Sequence, residues 1–405
     1  MLENISVDPL EAQRAAIAAC VERCRAYDFV FVPEDGSSLN ITDRDGVKGT
    51  GSVGARNLGA RGLLVMSAIA VSPQGVPLGV LGQIYWSRNP GEKRPEAHLA
   101  PIEEKESRFW TELMGRTNAA FVDKEVRPWY QLDRGADGWA TFEWARMEKA
   151  WVTVRSCYDR RLVTPEGQPS QHLSDAIASA PVAGELLLTV PARAGAPERL
   201  ARLEIRRAKV TLDTQDQHTR TRRQEPVWVV DTREIDAPAS ASPLHWRLLT
   251  TRPVESVQDA ILVVKGYSTR WRIEEFHRAW KTAACDVEET QLRSRHALEL
   301  WATILTSVAI RLLRLMYLSR KEPDLVATEE FSPAEIHAVY FAEGKRWNGA
   351  LSPSILDITR RIAFLGGYTG KSSGGPPGLV VIRRGLEHIR PIVPLVPILL
   401  ARGVS

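Results

Sequence analysis

Four side chains that could bind phosphates or a metal ion lie at regular spacing between positions 267 and 281. Tyr267, Arg270, Glu274 and Lys281 are separated by three, four and seven residues. On a helix of 3.6 residues per turn these positions would share one face, carrying a phenol, a guanidinium, a carboxylate and an ammonium. A solvent-exposed helix with ion pairs between neighbouring turns shows the same spacing. The spacing alone therefore leaves both interpretations open.

Two further carboxylates lie where strands are expected to end. Asp35 comes shortly after the apolar run Phe29–Val32, and Asp133 directly follows Trp129–Leu132. Short apolar runs rich in β-branched and aromatic residues are typical of buried strands. Together with Glu274, these residues could form an acidic pocket if the fold brings the three segments together.

The segments around these residues resemble one family of enzymes. The pattern Tyr-x2-Arg-x3-Glu-x6-Lys, within the block YSTRWRIEEFHRAWKTAA, is the signature of bacterial insertion-sequence transposases of the cut-and-paste YREK group. The block is most similar to the Tn-five type, which cuts DNA through a hairpin intermediate. Further similarity lies around Asp35 and Asp133, from Trp246 to Ser256, and at Ile362–Lys371. The resemblance extends from about residue 28 to about residue 390.

The resemblance implies metal-dependent cleavage and transfer of DNA strands. Asp35, Asp133 and Glu274 would be the catalytic residues and would hold two Mg²⁺ ions, or Mn²⁺, because such ions prefer oxygen ligands. Trp246 would stack on a base flipped out of the duplex, although it could equally be a core tryptophan. The side chains expected to bind DNA phosphates are Tyr267, Arg270, Lys281 and Arg155.

Nearby residues of the same types are interpreted differently. Asp137 and Glu275 are taken as structural or supporting carboxylates, and His277 as a packing residue. Cys20-x3-Cys24 lacks a second ligand pair at zinc spacing. Gly370-Lys371-Ser372 lacks the earlier glycine of a phosphate-binding loop. None of these features changes the expected site.

The apolar pattern predicts the elements that must position the site. Strands and helices are expected in the order β-β-β-α-β-α-β from residue 29 to residue 155, a mixed α/β pattern. A capped helix at Pro9–Arg25 precedes them. Strand signals from 158 to 245 predict an all-β insertion, after which helical periodicity returns. The resemblance implies a ribonuclease-H-like mixed sheet with this insertion and a helical C-terminal segment.

These patterns suggest five segments. They are a short N-terminal helix that would be the remnant of a recognition region (1–26), two parts of a catalytic core (27–157 and 246–322), the insertion (158–245) and a C-terminal dimerisation segment (323–405).

Composition excludes several classes of protein. The 405 residues are 44% hydrophobic and 25% charged, which is unlike a disordered or fibrous chain. Four cysteines are too few for a disulfide framework, and no apolar run approaches the roughly 18 residues of a membrane span. We therefore expect a cytoplasmic protein without a membrane partner, and the resemblance implies a bacterial, nucleoid-associated one.

The expected partners are double-stranded DNA, as transposon ends and target, and a second copy of the chain in a homodimer. The net charge of +4 permits a polyanionic partner without requiring one. Nine Lys and Arg against four Asp and Glu between Arg193 and Arg223 could contact DNA or form solvated strand faces.

Three functions remain open at this level. The first is a transposase that hydrolyses DNA, forms a hairpin and transfers strands. The second is a truncated or domesticated DNA-binding derivative that regulates a full-length copy, because only 34 residues precede Asp35 where the family has a recognition domain. The third is a plain metal-dependent nuclease. Metal-dependent nicking would exclude the second function, and strand-transfer products would exclude the third.

Overall fold

One ten-stranded mixed sheet organises the chain. The computed structural model describes residues 2–43, 46–54, 59–88, 100–122, 124–191, 198–239, 241–349, 352–370 and 375–401. The strands are β1 (Phe29–Asn40), β2 (Gly51–Ser52), β3 (Arg61–Val71), β4 (Pro77–Trp86), β5 (Arg127–Leu132), β6 (Trp151–Arg155), β7 (Val182–Val190), β8 (Arg199–Gln215), β9 (Arg222–Ile235) and β10 (His245–Thr250). Their order is β2-β3-β1-β5-β6-β10-β9-β8-β7, with β4 also paired to β3.

Helices cover both faces of this sheet. They are α1 (Pro9–Cys24), α2 (Arg108–Ala119), α3 (Trp139–Met147), α4 (Leu173–Ser179), α5 (Val257–Ser268), α6 (Trp271–Arg278), α7 (Arg295–Lys321), α8 (Pro333–Ala342), α9 (Ile355–Leu365), α10 (Leu379–Ile389) and α11 (Val396–Ala401). Apolar residues of α1 to α4 pack in one core, and those of α5 to α10 pack in the other. The α/β fold class with a helical C-terminal segment is therefore confirmed.

The first five long strands follow the predicted order. β1, β3 and β4 form an antiparallel meander, and β5 and β6 add to it in parallel with β1. β1 is longer than its apolar run predicts, because Asp35 to Asn40 pair with β3. Asp35 therefore lies inside a strand and not at its end. The helix expected between β4 and β5 is α2, which begins at Arg108 after a short 3-10 turn at Ile102–Glu104.

The predicted insertion extends the core sheet. β10 pairs with β6 on one side and with β9 on the other, so β7, β8 and β9 continue the sheet outward. The segment also contains the short helix α4, which begins with a capping box. Because of α4, the segment is not all-β as expected.

The expected single helix across the signature is wrong. α5 ends at Ser268 and α6 begins at Trp271, and backbone bonds of the tighter i to i+3 type span Thr269 and Arg270. A π-helical turn follows at Ala279–Ala283. Because the helical phase changes twice, Tyr267, Glu274 and Lys281 do not lie on one regular helical face.

The long helix α7 has the length and composition of a membrane span, with a mean hydropathy of 1.4 over its most apolar window. The sequence alone did not indicate this helix as a candidate, because no continuous apolar run in it is long enough. However, 72% of that window is buried inside the protein. Its apolar residues pack against α9, α10 and the sheet. In this structure α7 is thus a core helix that connects the sheet to the C-terminal helices.

Candidate active site

Sheet register brings the first two carboxylates together. β1 and β5 are parallel neighbours in which Pro33 pairs with Gln131. Asp35 and Asp133 are each two residues further along, so both lie on the same face at the same edge. Asp133 lies just beyond the end of β5, where its carbonyl accepts the Ala136 N–H at 3.0 Å and starts a one-turn helix.

The neighbouring carboxylate Glu34 points to the opposite face. It is fully buried, and neither of its carboxylate oxygens has a hydrogen-bond partner among the described residues. Burial raises the pKa of Glu34 well above its ordinary value. Strand alternation therefore distinguishes Asp35, which faces the site, from Glu34, whose charged form is disfavoured by burial in the core.

Arg270 joins the third carboxylate to the first. Its Nη1 donates to Asp35 Oδ2 at 3.1 Å, and its Nη2 donates to Glu274 Oε1 at 2.6 Å. Arg270 is buried, whereas the Glu274 side chain is about half exposed. One guanidinium thus holds carboxylates from β1 and α6 together.

Tyr267 connects this group to Asp133. Its hydroxyl donates to Asp133 Oδ1 at 3.3 Å, and the Arg270 guanidinium lies 6.0 Å from its ring centre. Tyr267, Arg270 and the three carboxylates therefore form one cluster, supplied by β1, the end of β5, and α5 and α6.

Burial shapes the electrostatics of the cluster. Burial raises the pKa of Asp35, Arg270 and the Gly36 N–H lower it, and the charges of Asp133 and Glu274 raise it, so that the pKa is about 6 overall. Burial raises the pKa of Tyr267 to about 12, so its hydroxyl is a neutral donor at pH 7. Burial alone would lower the pKa of Arg270, but Tyr267 and the carboxylates raise it above its ordinary value. Arg270 is therefore a permanent cation.

The donor set suits a hard divalent cation, since it offers three carboxylates. Among the residues that the structure describes, however, no three His, Cys, Asp or Glu side chains already stand at metal-binding distance. The Arg270 guanidinium lies between Asp35 and Glu274, where a shared cation would bind. The residues fit Mg²⁺ or Mn²⁺ in kind, and Arg270 would have to leave for them to close around it.

Trp246 is buried, with only 3% of its surface exposed. Its ring centre lies 5.1 Å from that of Tyr267 and 5.6 Å from that of Trp271, both in edge-on contact. The surroundings of Trp246 here are those of a core residue that supports Tyr267. Base stacking on Trp246 would require this aromatic cluster to open.

The two remaining basic residues differ in position. Arg155 ends β6 and lies close enough for its charge to act on Tyr267. Lys281 instead forms an ion pair of 3.4 Å with Glu288, which also accepts the Asn40 N–H at 2.9 Å. Arg155 therefore borders the cluster, whereas Lys281 is held apart from it.

Asp137 and Glu275 contact other protein groups. The buried Asp137 accepts hydrogen bonds from Arg160 and from the Cys157 N–H. Glu275 accepts the Tyr317 hydroxyl at 2.7 and 2.9 Å, and Arg272 stacks 4.0 Å from the Tyr317 ring centre.

Tyr317 belongs to α7, so this contact fixes the residue next to Glu274 to the long core helix. Sequence reasoning missed Tyr317, because nothing in the local pattern marks a partner 42 residues away.

The weaker sequence features lie away from the cluster. His277, Cys20 and Cys24 are buried. The basic residues between Arg193 and Arg223 lie at both ends of the β8–β9 hairpin. Arg199 and Arg202 lie at the end nearer the catalytic edge of the sheet, and Arg222 and Arg223 lie at the opposite end, next to the hairpin turn. Residues 192–197 and 371–374 lie outside the described part of the chain, and so do Arg193, Lys371 and Ser372.

Comparison with known families places these elements. Residues 124–311 match the family model of the transposase DDE domain, which includes Asp133 and Glu274. Residues 307–397 match the family model of the transposase Tn5 dimerisation domain. The first match implies that the sheet is ribonuclease-H-like, and the second covers the end of α7 and helices α8 to α10. The chain thus contains a transposase DDE domain followed by a Tn5 transposase dimerisation domain.

Proposed function

We propose that the chain is a Tn5-type, YREK-signature DNA transposase that uses Asp35, Asp133 and Glu274 to cut DNA through a hairpin and to transfer strands. The observation that carries this proposal is the convergence of three carboxylates on Arg270 and Tyr267. These carboxylates come from β1, from the end of β5 and from α6. Along the chain, 98 positions separate Asp35 from Asp133, and 141 separate Asp133 from Glu274. The two matched domains support the same function.

The proposed reaction has four phosphoryl-transfer steps. Water attacks a phosphorus atom and the 3′ oxygen leaves, taking a proton to become a 3′-OH. This hydroxyl then attacks the opposite strand, forming a hairpin and displacing a second 3′ oxygen, and hydrolysis of the hairpin frees the end for attack on target DNA. Mg²⁺ held by the carboxylates would act as a Lewis acid on the attacking and leaving oxygens.

The side chains of the cluster have distinct roles in this scheme. Tyr267 is a neutral donor that can orient Asp133 or a phosphate oxygen. Arg270 is a permanent cation whose planar fork suits a phosphate in two-point contact. If Asp35 and Glu274 held a divalent cation, Arg270 would be released from these two partners and would be available to the DNA backbone.

Lys281 would bind a neighbouring phosphate once it leaves Glu288. The dimerisation domain supports assembly as a homodimer on paired DNA ends. We expect this assembly in the bacterial cytoplasm, at the nucleoid.

The test compares Glu274→Ala with Glu112→Ala, a surface control on α2 that removes a carboxylate from an exposed ion pair with Arg116. Glu274→Ala should abolish Mg²⁺-dependent cleavage while DNA affinity stays unchanged or rises, because a negative charge facing phosphates is lost. Glu112→Ala should cleave normally.

Full cleavage by Glu274→Ala would refute the catalytic assignment. Cleavage by the wild type without strand-transfer products would instead indicate a plain nuclease.

A further inference from the structure

A row of three polar side chains crosses the sheet, starting from Asp35. Asp35 of β1 pairs with Ser67 of β3, and Ser67 pairs with Gln83 of β4. Residues that pair directly across antiparallel strands point to the same face, with Cβ atoms about 4.5–5.5 Å apart. Ser67 and Gln83 therefore lie on the face of the sheet that carries the site, and Ser67 is the cross-strand neighbour of Asp35.

Ser67 and Gln83 are polar residues in an apolar part of the core. Ser67 is fully buried and Gln83 is 2% exposed. Val65 and Ile69, the next residues of β3 on the same face, both belong to the hydrophobic core. Burying a hydroxyl or an amide costs free energy unless its hydrogen bonds are made. The two polar groups therefore need partners, and apolar packing does not account for them.

Gln83 occupies the acceptor side of the Ser67 hydroxyl. Gln83 Nε2 donates to Ser67 Oγ at 3.1 Å, and the Tyr85 hydroxyl donates to Gln83 Oε1 at 2.7 Å. These two bonds fix the Gln83 amide with its N–H groups towards Ser67. A serine hydroxyl also carries one proton to donate, and no described residue accepts it. The Ser67 proton therefore remains available to Asp35, the carboxylate beside it in the row.

Asp35 has one backbone donor and one donor that the proposed metal site would displace. Its Oδ1 accepts the Gly36 N–H at 2.8 Å, and its Oδ2 accepts Arg270 Nη1 at 3.1 Å. If a divalent cation took the place of Arg270, Asp35 would keep the first of these donors and lose the second. Carboxylates that ligate metals are usually held by hydrogen bonds that fix their orientation. The Ser67 hydroxyl is placed to supply such a bond.

We infer that Ser67 is a positioning residue for Asp35. Its hydroxyl donates to the Asp35 carboxylate when Arg270 withdraws, and so keeps that carboxylate in place for the cation. Gln83 supports this role because it leaves the hydroxyl proton free to point at Asp35. Ser67 acts through Asp35, so the inference rests on the metal-binding part of the proposed function.

The test measures Mn²⁺ affinity by calorimetric titration without DNA, and cleavage with Mn²⁺ in a separate assay. Ser67→Ala should weaken Mn²⁺ binding and lower kcat by about tenfold, the lower end of the range for groups that orient metal ligands. Ser67→Thr keeps the hydroxyl and should restore most of both losses. DNA affinity in EDTA should be unchanged in both variants, because Ser67 is buried.

Ser72→Ala is the matched control. Ser72 follows β3 and is also fully buried, and its Oγ accepts the Val76 N–H at 3.1 Å. Removing this hydroxyl should lower the Tm in EDTA, as Ser67→Ala does, but should leave Mn²⁺ affinity and kcat at wild-type values. A second comparison uses the Arg270→Gln background, where Ser67→Ala should still weaken Mn²⁺ binding, because Ser67 acts when the guanidinium is away.

Wild-type Mn²⁺ affinity in Ser67→Ala would overturn the inference. An equal loss of affinity in Ser72→Ala would also overturn it, and so would the absence of any loss in the Arg270→Gln background. If the wild type cuts DNA and Ser67→Ala cuts equally fast, the proposed function stands without this role. If Ser67→Ala weakens Mn²⁺ binding but the wild type never cuts DNA, the positioning role stands and the proposed function fails.

Discussion

Asp35→Asn should stabilise the protein at neutral pH while removing one of the three proposed metal ligands. Asp35 lies in a cluster where burial raises its pKa from the ordinary 3.8 to about 6. Its side chain is only about a quarter exposed, so solvent does little to relieve this effect. Holding Asp35 ionised therefore costs folding free energy, and asparagine keeps the shape while removing the charge.

The size of the effect follows from the pKa. At about 1.4 kcal/mol for each pH unit, a rise from 3.8 to about 6 corresponds to about 3 kcal/mol as an upper limit. The folded pKa lies above the unfolded one, so the native state loses stability as the pH rises from about 4 to about 6 and carries the full cost above that range. For 405 residues, at about 2.1 cal/mol/K of unfolding entropy per residue, 3 kcal/mol is about 3–4 °C in Tm.

Calorimetry at pH 4 and pH 7.5, in EDTA, measures this difference. Asp35→Asn should melt about 3–4 °C above the wild type at pH 7.5 and close to it at pH 4. Adding Mn²⁺ should raise the Tm of the wild type and leave that of the variant nearly unchanged, because a bound ion stabilises only the state that binds it.

Asp231→Asn is a matched control whose effect on the Tm should have the opposite sign. Burial raises the pKa of Asp231, but His245 and Arg247 lower it below its ordinary value overall. Its neutralisation should therefore lower the Tm at pH 7.5 and still lower it at pH 4, because the stabilisation is lost only as the pH falls through the lowered pKa, below 3.8. A stabilisation by Asp35→Asn that is equal at both pH values, or absent at pH 7.5, would refute the electrostatic reasoning.

Four further predictions follow from the same contacts. At pH 8 without DNA, calorimetric titration should show that Arg270→Gln binds Mn²⁺ about tenfold more tightly, a change of about 1.4 kcal/mol in binding free energy. In a separate assay the variant should bind DNA more weakly. Unchanged Mn²⁺ affinity would show that Arg270 does not compete with the ion. Trp246→Ala should lose about 3–5 kcal/mol of stability in urea unfolding, and a wild-type stability would contradict its placement in the core. Tyr317→Phe should lower kcat for cleavage without changing DNA affinity, because Glu275 loses the contact that fixes the turn carrying Glu274; an unchanged kcat would limit Tyr317 to packing. The 405-residue chain should bind cognate and scrambled duplexes with less than a hundredfold difference in competition assays, because α1 packs its Cys20 side on the sheet, and a larger preference would place recognition elsewhere.

Local patterns in the sequence determined much of the chemistry. Tyr267, Arg270 and Glu274 lie within eight consecutive residues, so their side chains stay near one another although the helix breaks between Ser268 and Trp271. Apolar runs likewise located β5 and β6, because buried strands need continuous apolar residues. The type of site and the order of the core elements were therefore readable from the chain itself.

Tertiary structure decided what depends on distant partners. The pairing of Pro33 with Gln131 aligns Asp35 with Asp133, and strand pairing also extends β1 through residues with little strand propensity of their own. The helix breaks before Arg270, and the Arg270 guanidinium lies between the carboxylates of Asp35 and Glu274. A continuous helix would not predict this position.

Whether Trp246 and Lys281 are accessible to a ligand depends even more on their tertiary surroundings. Packing against Tyr267 and Trp271 buries Trp246, and Lys281 forms an ion pair with the Glu288 carboxylate. A sequence shows which groups a residue offers. Whether an aromatic face or a charge remains free depends on neighbours that only the folded chain supplies, because burial and ion pairing are properties of contacts between distant segments.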